Sequence, residues 1–177
     1  MKEKNVKRQD VAAVLAAPYS RELLESPIPA RFAYVGVDDE PRVVPMGFWW
    51  SGEQLILATV PGAAKVRALR RRPRVAITID TQDRWPPLAL LIRGTARVEL
   101  VEGVPDAYLE AARKGGVPAE RFDEWEQGVR ALYDRMALIT VEPDWAKLLD
   151  FETTLPKAVE DLMSAREAEG SGARRES

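Results

Sequence analysis

The stretch that decides the fold runs from Arg42 to Asp80 and reads RVVPMGFWWSGEQLILATVPGAAKVRALRRRPRVAITID. It holds three strand-like apolar runs, at 42–50, 54–59 and 74–80. The turn Ser51-Gly52-Glu53 separates the first two runs and is typical of a hairpin. Proline suits the first turn of a helix, so we predict a short basic helix from about Pro61 to Arg72 that stops before Pro73.

The start of this helix is a candidate anion site. Thr59, Gly62 and Lys65 form a Thr-x-x-Gly-x-x-Lys arrangement where the second strand passes into the helix. Free backbone N–H groups and the positive end of the helix dipole attract anions there, and glycine lets a ligand approach the backbone closely. A hydroxyl and an ammonium group would add charge-assisted hydrogen bonds to a phosphate. The alternative is a plain strand end with a solvated lysine, because isolated Gly and Lys matches occur by chance.

The predicted helix also carries a basic face. At 3.6 residues per turn, Arg67 and Arg71 share one side while Val66 and Leu69 share another, so the helix can pack on a core and still present positive charge. Further arginines follow at 70, 72 and 74. This density of cations in a chain of net charge −2 calls for an anionic partner or local acidic neighbours.

These features resemble the pyridoxamine 5′-phosphate oxidase-like superfamily of flavin-binding split barrels, including its flavin/deazaflavin oxidoreductase branch. The resemblance is carried by RVVPMG at 42–47, LATVPGAAK at 57–65 and LRRRPRV at 69–75. It implies an α+β, mainly β fold, a six-stranded antiparallel split β-barrel with peripheral helices. The strand-like runs and short turns along the chain favour the same architecture.

The resemblance also implies a cofactor site, in which Thr59, Lys65, Arg67 and Arg42 hold a phosphate and the strand at 44–47 lines the ring through its backbone. The full candidate set for cofactor binding is Arg42, Val44, Pro45, Met46, Gly47, Thr59, Val60, Lys65, Arg67 and Trp85. FMN is the expected cofactor. The chain departs from the FMN oxidases at Ala63-Ala64, where they commonly have Ser-Arg, and at Gly47, where they often have a second Lys. A deazaflavin coenzyme is the alternative, because its acidic tail would suit the arginine-rich helix.

Composition excludes several kinds of chemistry. The 177 residues include neither cysteine nor histidine. Disulfides, thiolate nucleophiles, Ser-His-Asp triads and histidine-ligated metals or haem are therefore excluded, and the sequence offers no candidate metal site. Redox chemistry would have to come from a bound organic cofactor. The pI near 5.4 argues against nucleic-acid binding, which needs an extended positive surface.

The sequence contains no obvious membrane or export signal. Residues 1–10 have no apolar run behind their charges, and the longest later run, Leu88–Ile92, is too short to span a bilayer. We therefore expect a cytoplasmic protein with no membrane partner. One domain over residues 1–168 and a disordered tail at 169–177 complete the expected organisation.

The remaining segments surround the central stretch. Gly94 interrupts a long strand and predicts a bulge or bend. Strands are predicted at 31–37, 88–100 and 137–141, the last with a possible continuation at 147–151. Helices are predicted up to Ala17, around 19–25, and at 105–114, 118–136 and 156–168. The resemblance implies a homodimer with the cofactor at its interface, for which Trp49, Trp50, Trp85 and Trp145 are natural anchors.

The sequence therefore predicts a flavin- or deazaflavin-dependent oxidoreductase that transfers a hydride between its cofactor and an unknown small organic substrate. The alternative is a non-catalytic dimeric protein of the same fold that binds or carries flavin. No side chain stands out as catalytic. Tyr34, Tyr133 and solvent remain open as proton donors.

Overall fold

The structure, a computed structural model, describes residues 8–173, with side chains described for residues 11–166. Its strands are β1 Ala30–Val35, β2 Pro41–Met46, β3 Trp49–Trp50, β4 Leu55–Thr59, β5 Arg74–Asp80, β6 Ala89–Glu102 and β7 Arg135–Leu149. Its helices are α1 Arg8–Ala16, α2 Pro18–Glu25, α3 Ala64–Arg71, α4 Asp106–Lys114, α5 Phe122–Leu132 and α6 Lys157–Ala173, with a 3₁₀ turn, Ala119–Arg121, before α5.

The strands form one antiparallel sheet of seven strands in the order β2-β1-β5-β6-β7-β4-β3. The α+β class is confirmed, but six strands and a barrel were expected. The count differs because the run predicted at 42–50 breaks after Met46 into β2 and β3, which lie on opposite edges of the sheet. Across the residues described, no strand pair joins these edges, so the sheet is open and not a closed barrel.

The break itself consists of Gly47 and Phe48. Phe48 is fully buried in the main core, so the link between the two edge strands is anchored to that core. Because only these residues separate the two edge strands, the sheet has to curve strongly around that core. Val44 and Met46 pack against the core, whereas Val43 on the other face of β2 is 64% exposed.

A second, smaller core joins α4 and α5 to the end of the β6–β7 hairpin. Its buried members are Val104, Leu109, Phe122 and Met136, and Tyr108, Trp125 and Tyr133 pack against them. The helix predicted at 118–136 is wrong at its end, because α5 stops at Leu132 and Met136 belongs to β7. The strand predicted at 137–141 and its possible continuation are one strand of 15 residues.

The predicted irregularity at Gly94 is confirmed. Arg93 pairs with Trp145 and Gly94 pairs with Pro143, so Asp144 is an extra residue on β7. A Cβ atom on Gly94 would lie 2.4 Å from the carbonyl oxygen of Glu142, which is backbone. Glycine is therefore required here by close approach of the neighbouring strand.

The C-terminal helix α6 continues to Ala173 and so includes residues 169–173 of the expected tail. Residues 174–177 lie outside the described part of the chain. The domain boundary at residue 168 stays a prediction. Among the helices described, none combines the length and the apolar character needed to cross a membrane.

Lys114 links three elements in a way that the sequence did not predict. Its Nζ atom donates a hydrogen bond to the carbonyl of Leu24, 3.0 Å away in the last turn of α2, and lies 3.2 Å from the ring centroid of Phe48. The cation thus meets both a helix C-terminus and an aromatic face. Burial lowers the pKa of Lys114 to about 8.

We expect Gly94→Ala to destabilise the fold by about 2 kcal/mol, because the added methyl group has to displace backbone. Gly128→Ala is the matched control. A Cβ atom there meets nothing within 4 Å, and alanine in a helix interior should stabilise by about 0.5–1 kcal/mol. Urea unfolding of both variants tests this, and equal effects would contradict the close approach.

We expect Lys114→Met to flatten the pH dependence of stability. Above pH 8 the folded chain releases this proton, whereas the unfolded chain holds it up to the ordinary pKa of 10.5. The unfolded state then binds more protons, so the free energy of unfolding rises with pH in the wild type, by roughly 1–2 kcal/mol after the screening of this partly exposed group by solvent is allowed for.

Urea titrations from about pH 7 to about pH 10 measure this difference. Tyr108, whose pKa burial raises in the folded chain, contributes equally to wild type and variant, so the difference between their curves isolates Lys114. Parallel curves for wild type and variant would show that Lys114 keeps an ordinary pKa.

Candidate functional site

Thr59 and Lys65 come together as predicted. Lys65 Nζ donates to Thr59 Oγ1 at 3.5 Å, and β4 ends at Thr59. The helix start was predicted wrongly, because α3 begins at Ala64 and Pro61 lies in the preceding turn. In that turn the Ala63 N–H donates to the Val60 carbonyl at 3.1 Å.

The start of α3 offers free donors. The N-cap residue Ala63 makes no side-chain cap hydrogen bond, and the first turn contains no acidic residue. Gly62 is exposed, and a Cβ atom there would meet nothing within 4 Å. The first N–H groups of the helix, the positive end of its dipole and the Lys65 ammonium group therefore favour an anion at one place.

The basic face of α3 also matches its prediction. Val66, Ala68 and Leu69 are buried against the protein, while Arg67, Arg70 and Arg71 are exposed. Over the residues whose side chains are described, none of these three arginines makes an ion pair or a hydrogen bond. Arg72 differs, since it donates to the Gly36 carbonyl at 3.1 Å and pairs with Asp39.

Arg42 is already engaged elsewhere. Its guanidinium donates to both carboxylate oxygens of Asp38 at 2.8 and 2.7 Å and to the Glu40 carbonyl at 3.1 Å. This pair holds the pKa of Asp38 down to about 2. Gly36 makes room for it, because a Cβ atom there would lie 2.1 Å from the Arg42 Nη1 atom.

The hairpin that holds Arg42 contacts Arg72, just past the C-terminal end of α3, whereas Lys65 lies at the N-terminal end. These ends are about 10 Å apart at 1.5 Å per residue. The structure therefore does not bring Arg42 to the Thr59–Lys65 pair. Its role at the phosphate stays a prediction, and it would require breaking the ion pair with Asp38.

The predicted ring-lining strand ends close to Thr59. Helix α4 contacts both β3 and β4, and a Cβ atom on Gly47 would lie 3.8 Å from Ala111 Cβ. Ala58, the neighbour of Thr59, packs into the core formed with α4 and α5. Trp49 pairs with Ile56 in the antiparallel β3–β4 hairpin, so Gly47, two residues earlier, lies toward the Thr59 end of β4. Pro45 and Gly47 are exposed, Val44 and Met46 are half-buried, and Val60 is 43% exposed.

Trp85 is 90% exposed in a well-anchored loop. Thr81 closes the loop with Leu88 through hydrogen bonds of 3.0 and 2.9 Å, and Arg84 donates to Glu22 at 2.9 Å. The loop precedes Ala89 at the start of β6, whereas Thr59 lies beside Ala137, which pairs with Leu100. From Ala89 to Leu100 the strand path is about 36 Å, so Trp85 does not join Lys65 within one chain.

The tyrosines considered as proton donors occupy packed positions. Tyr34 is 7% exposed, with its ring 6.0 Å from that of Phe32. Tyr133 meets Tyr108 edge to face at 6.5 Å, and Tyr108 stacks on Trp125 at 5.8 Å. Both tyrosines therefore have a structural explanation.

Several solved structures are similar to this fold, and one family profile matches the sequence. A comparison with curated protein sequences finds no match. Among solved structures, an F420 reductase is 25% identical with a TM-score of 0.55, covering 72% of this chain and 94% of that one. A conserved hypothetical protein from Mycobacterium tuberculosis is 17% identical with a TM-score of 0.58, covering 88% and 94%.

A third similar structure is the heme storage protein HutZ from Vibrio cholerae, which is 22% identical with a TM-score of 0.52, covering 75% of this chain and 92% of that one. The sequence profile described as pyridoxamine 5′-phosphate oxidase matches residues 17–146, which is most of the chain. The chain belongs to the pyridoxamine 5′-phosphate oxidase family.

Proposed function

We propose that this protein is an oxidoreductase that binds a flavin or deazaflavin and transfers a hydride between that cofactor and a small organic substrate. The observation that carries the proposal is the Lys65–Thr59 pair at the uncapped start of α3. A hydroxyl, an ammonium group and free backbone N–H groups converge there, which is the donor set that a phosphate requires.

Each part of this site has a separate task. Thr59 and Lys65 hold the phosphate, and Arg67 adds positive charge from the exposed side of α3. The backbone at 44–47 supports the ring where Gly47 leaves the surface open. The cofactor, when bound, supplies the hydride chemistry, and the chain supplies binding and orientation.

The basic face of α3 favours the deazaflavin coenzyme over FMN. An acidic tail on the cofactor would give Arg67, Arg70 and Arg71 the carboxylates that the described part of the chain does not provide. Ala63 and Ala64 offer no side-chain donors to a phosphate, which weakens the case for FMN. The likeness to an F420 reductase supports the same choice, because F420 is a deazaflavin.

A non-catalytic flavin carrier is the second candidate. The alanines at 63 and 64, where the FMN oxidases commonly have Ser-Arg, favour it, because the phosphate would be held by fewer side-chain donors. Turnover separates the two functions: the oxidoreductase consumes reduced cofactor when a substrate is supplied, whereas a carrier only binds it.

We also propose a homodimer with the cofactor at its interface. Trp85 and Val43 are 90% and 64% exposed, and Trp49 is 38% exposed, so large apolar side chains stand free on the single chain. Trp85 precedes the start of β6, whereas Thr59 lies near the other end of that strand. Trp85 would therefore reach a cofactor only across the interface. Trp145 is a weaker anchor, because Arg93 lies 4.4 Å over its ring.

We expect Lys65→Ala to weaken cofactor binding at least about tenfold, because a charge-assisted hydrogen bond to phosphate is lost. Fluorescence titrations with FMN and with the deazaflavin coenzyme measure this. Lys157→Ala is the matched control, since Lys157 is exposed on α6 and pairs with Asp161. Unchanged affinity in Lys65→Ala would remove Lys65 from the site, and failure to bind either cofactor would contradict the proposed function.

The double variant Arg67→Ala/Arg71→Ala decides between the cofactors in the same titration. Weaker binding of the deazaflavin coenzyme with FMN binding unchanged would place an acidic tail on this face of α3. Equal losses for both would assign the arginines to the phosphate alone.

We expect light scattering to give about twice the chain mass of 19.8 kDa. Trp85→Ser should weaken the dimer and cofactor binding together. Leu132→Ser is the control, because Leu132 is 69% exposed on α5 and has no assigned role. A single-chain mass with cofactor bound would refute the interface site.

A further inference from the structure

A cavity of about 750 Å³ opens at the start of β4, at the other end of that strand from Thr59. Helix α1, helix α2, the β3–β4 turn and Pro143 surround it. The path from Leu55 to Thr59 is about 13 Å of strand, so this groove is separate from the site at Lys65. The proposed function assigns no role to this groove.

The floor and one wall of the groove are apolar. Leu15 and Pro143 are buried, and Trp50 packs partly on the main core. Helix α1 also contributes Val11, which is buried like Leu15, while the exposed Ala12 and Ala16 lie one helical turn apart and form the part of the wall with small side chains. A flat wall beside an indole ring suits a planar aromatic group.

The opposite rim of the groove is the β3–β4 turn, which hydrogen bonds hold in place. The Ser51 N–H donates to the Gln54 carbonyl at 3.0 Å, and Ser51 Oγ accepts from the N–H groups of Glu53 and Gln54 at 3.4 and 3.0 Å. Gly52 has a φ of +99°, which glycine adopts without strain. The backbone at Glu53 is therefore fixed at the mouth of the groove.

The rim is also acidic. Its charged residues are Arg21, Glu25, Glu53 and Glu142. Arg21 pairs with Glu25 at 3.2 Å. Glu53 makes no ion pair within the described side chains, so its charge is available to a ligand.

From this geometry we propose that the groove binds a small aromatic amine in its ammonium form. The ring lies against Trp50 and the alanine wall of α1, and the ammonium group faces Glu53. An apolar floor with a carboxylate on its rim selects both the shape and the charge of the ligand.

The test uses two probes that share a phenyl ring and differ in charge, 2-phenylethylammonium and 3-phenylpropionate. Amide chemical-shift titration by NMR should show saturable binding of the cation, with shifts at Ser51–Gln54 and in α1. The anion should bind more weakly, since the rim repels it. Equal binding of both probes, or shifts elsewhere on the protein, would overturn the proposal.

Two variants sharpen the result. Glu53→Gln should weaken the cation about threefold and leave the anion unaffected or improved, as an exposed charge pair contributes up to ~1 kcal/mol. Ala16→Trp should abolish binding by filling the groove. Glu53 is exposed, so Glu53→Gln tests the proposal even where Ala16→Trp fails to fold. An unchanged charge preference in Glu53→Gln would refute the role of Glu53.

Lys65→Ala serves as the control for location. It should bind 2-phenylethylammonium as the wild type does, because Lys65 lies beyond the far end of β4. A loss of amine binding in this variant would show that the probe occupies the proposed cofactor site instead and would overturn a separate groove.

Discussion

The fold depends on one constraint: the segment 41–50 provides both edges of the sheet. Only Gly47 and Phe48 separate β2 from β3, so seven strands must curve until their edges come within two residues of each other. Phe48 is buried at the join, with the Lys114 ammonium group over its ring. The same curvature brings Gly47 beside the end of β4, where Thr59 lies. The candidate site is therefore a consequence of how the sheet bends.

The sequence predicted the elements whose pattern is local. Strand β5 has the bounds expected at 74–80, and α3 buries Val66 and Leu69 as its period requires. The break at Gly47 could not be predicted, because the apolar run from Val43 to Trp50 continues across it without a polar residue. Met136 continues the three- and four-residue spacing of α5, so only the pairing with Val101 reveals it as strand. Pro143 lies in the gap between the strand predicted at 137–141 and its possible continuation, yet the bulge opposite Gly94 accommodates it within β7.

The residues of the candidate site also differ in whether local sequence or distant geometry determines their positions. Thr59 and Lys65 are six residues apart in the chain and meet across one turn, so their spacing was enough to predict their contact. Arg42 and Trp85 depend on distant geometry. The position of Arg42 follows from the hairpin that Asp38 closes, and the distance of Trp85 follows from the register of β4, β6 and β7. Neither register nor curvature can be derived from one sequence alone.

The ion pairs of the other arginines help to explain the basic face of α3. Where an arginine fixes the fold, the protein supplies a carboxylate, as for Arg42 with Asp38, Arg31 with Asp80 and Arg74 with Asp144. Arg67 and Arg71 have none in the part of the chain whose side chains are described, although the chain as a whole is net acidic. Arg71 lies in the last turn of α3, where the helix dipole favours a cation. Arg67 lies one turn earlier, and its like charge at the i, i+4 spacing opposes that stabilisation. An anion from outside the chain would give both arginines the partner that the described carboxylates do not supply.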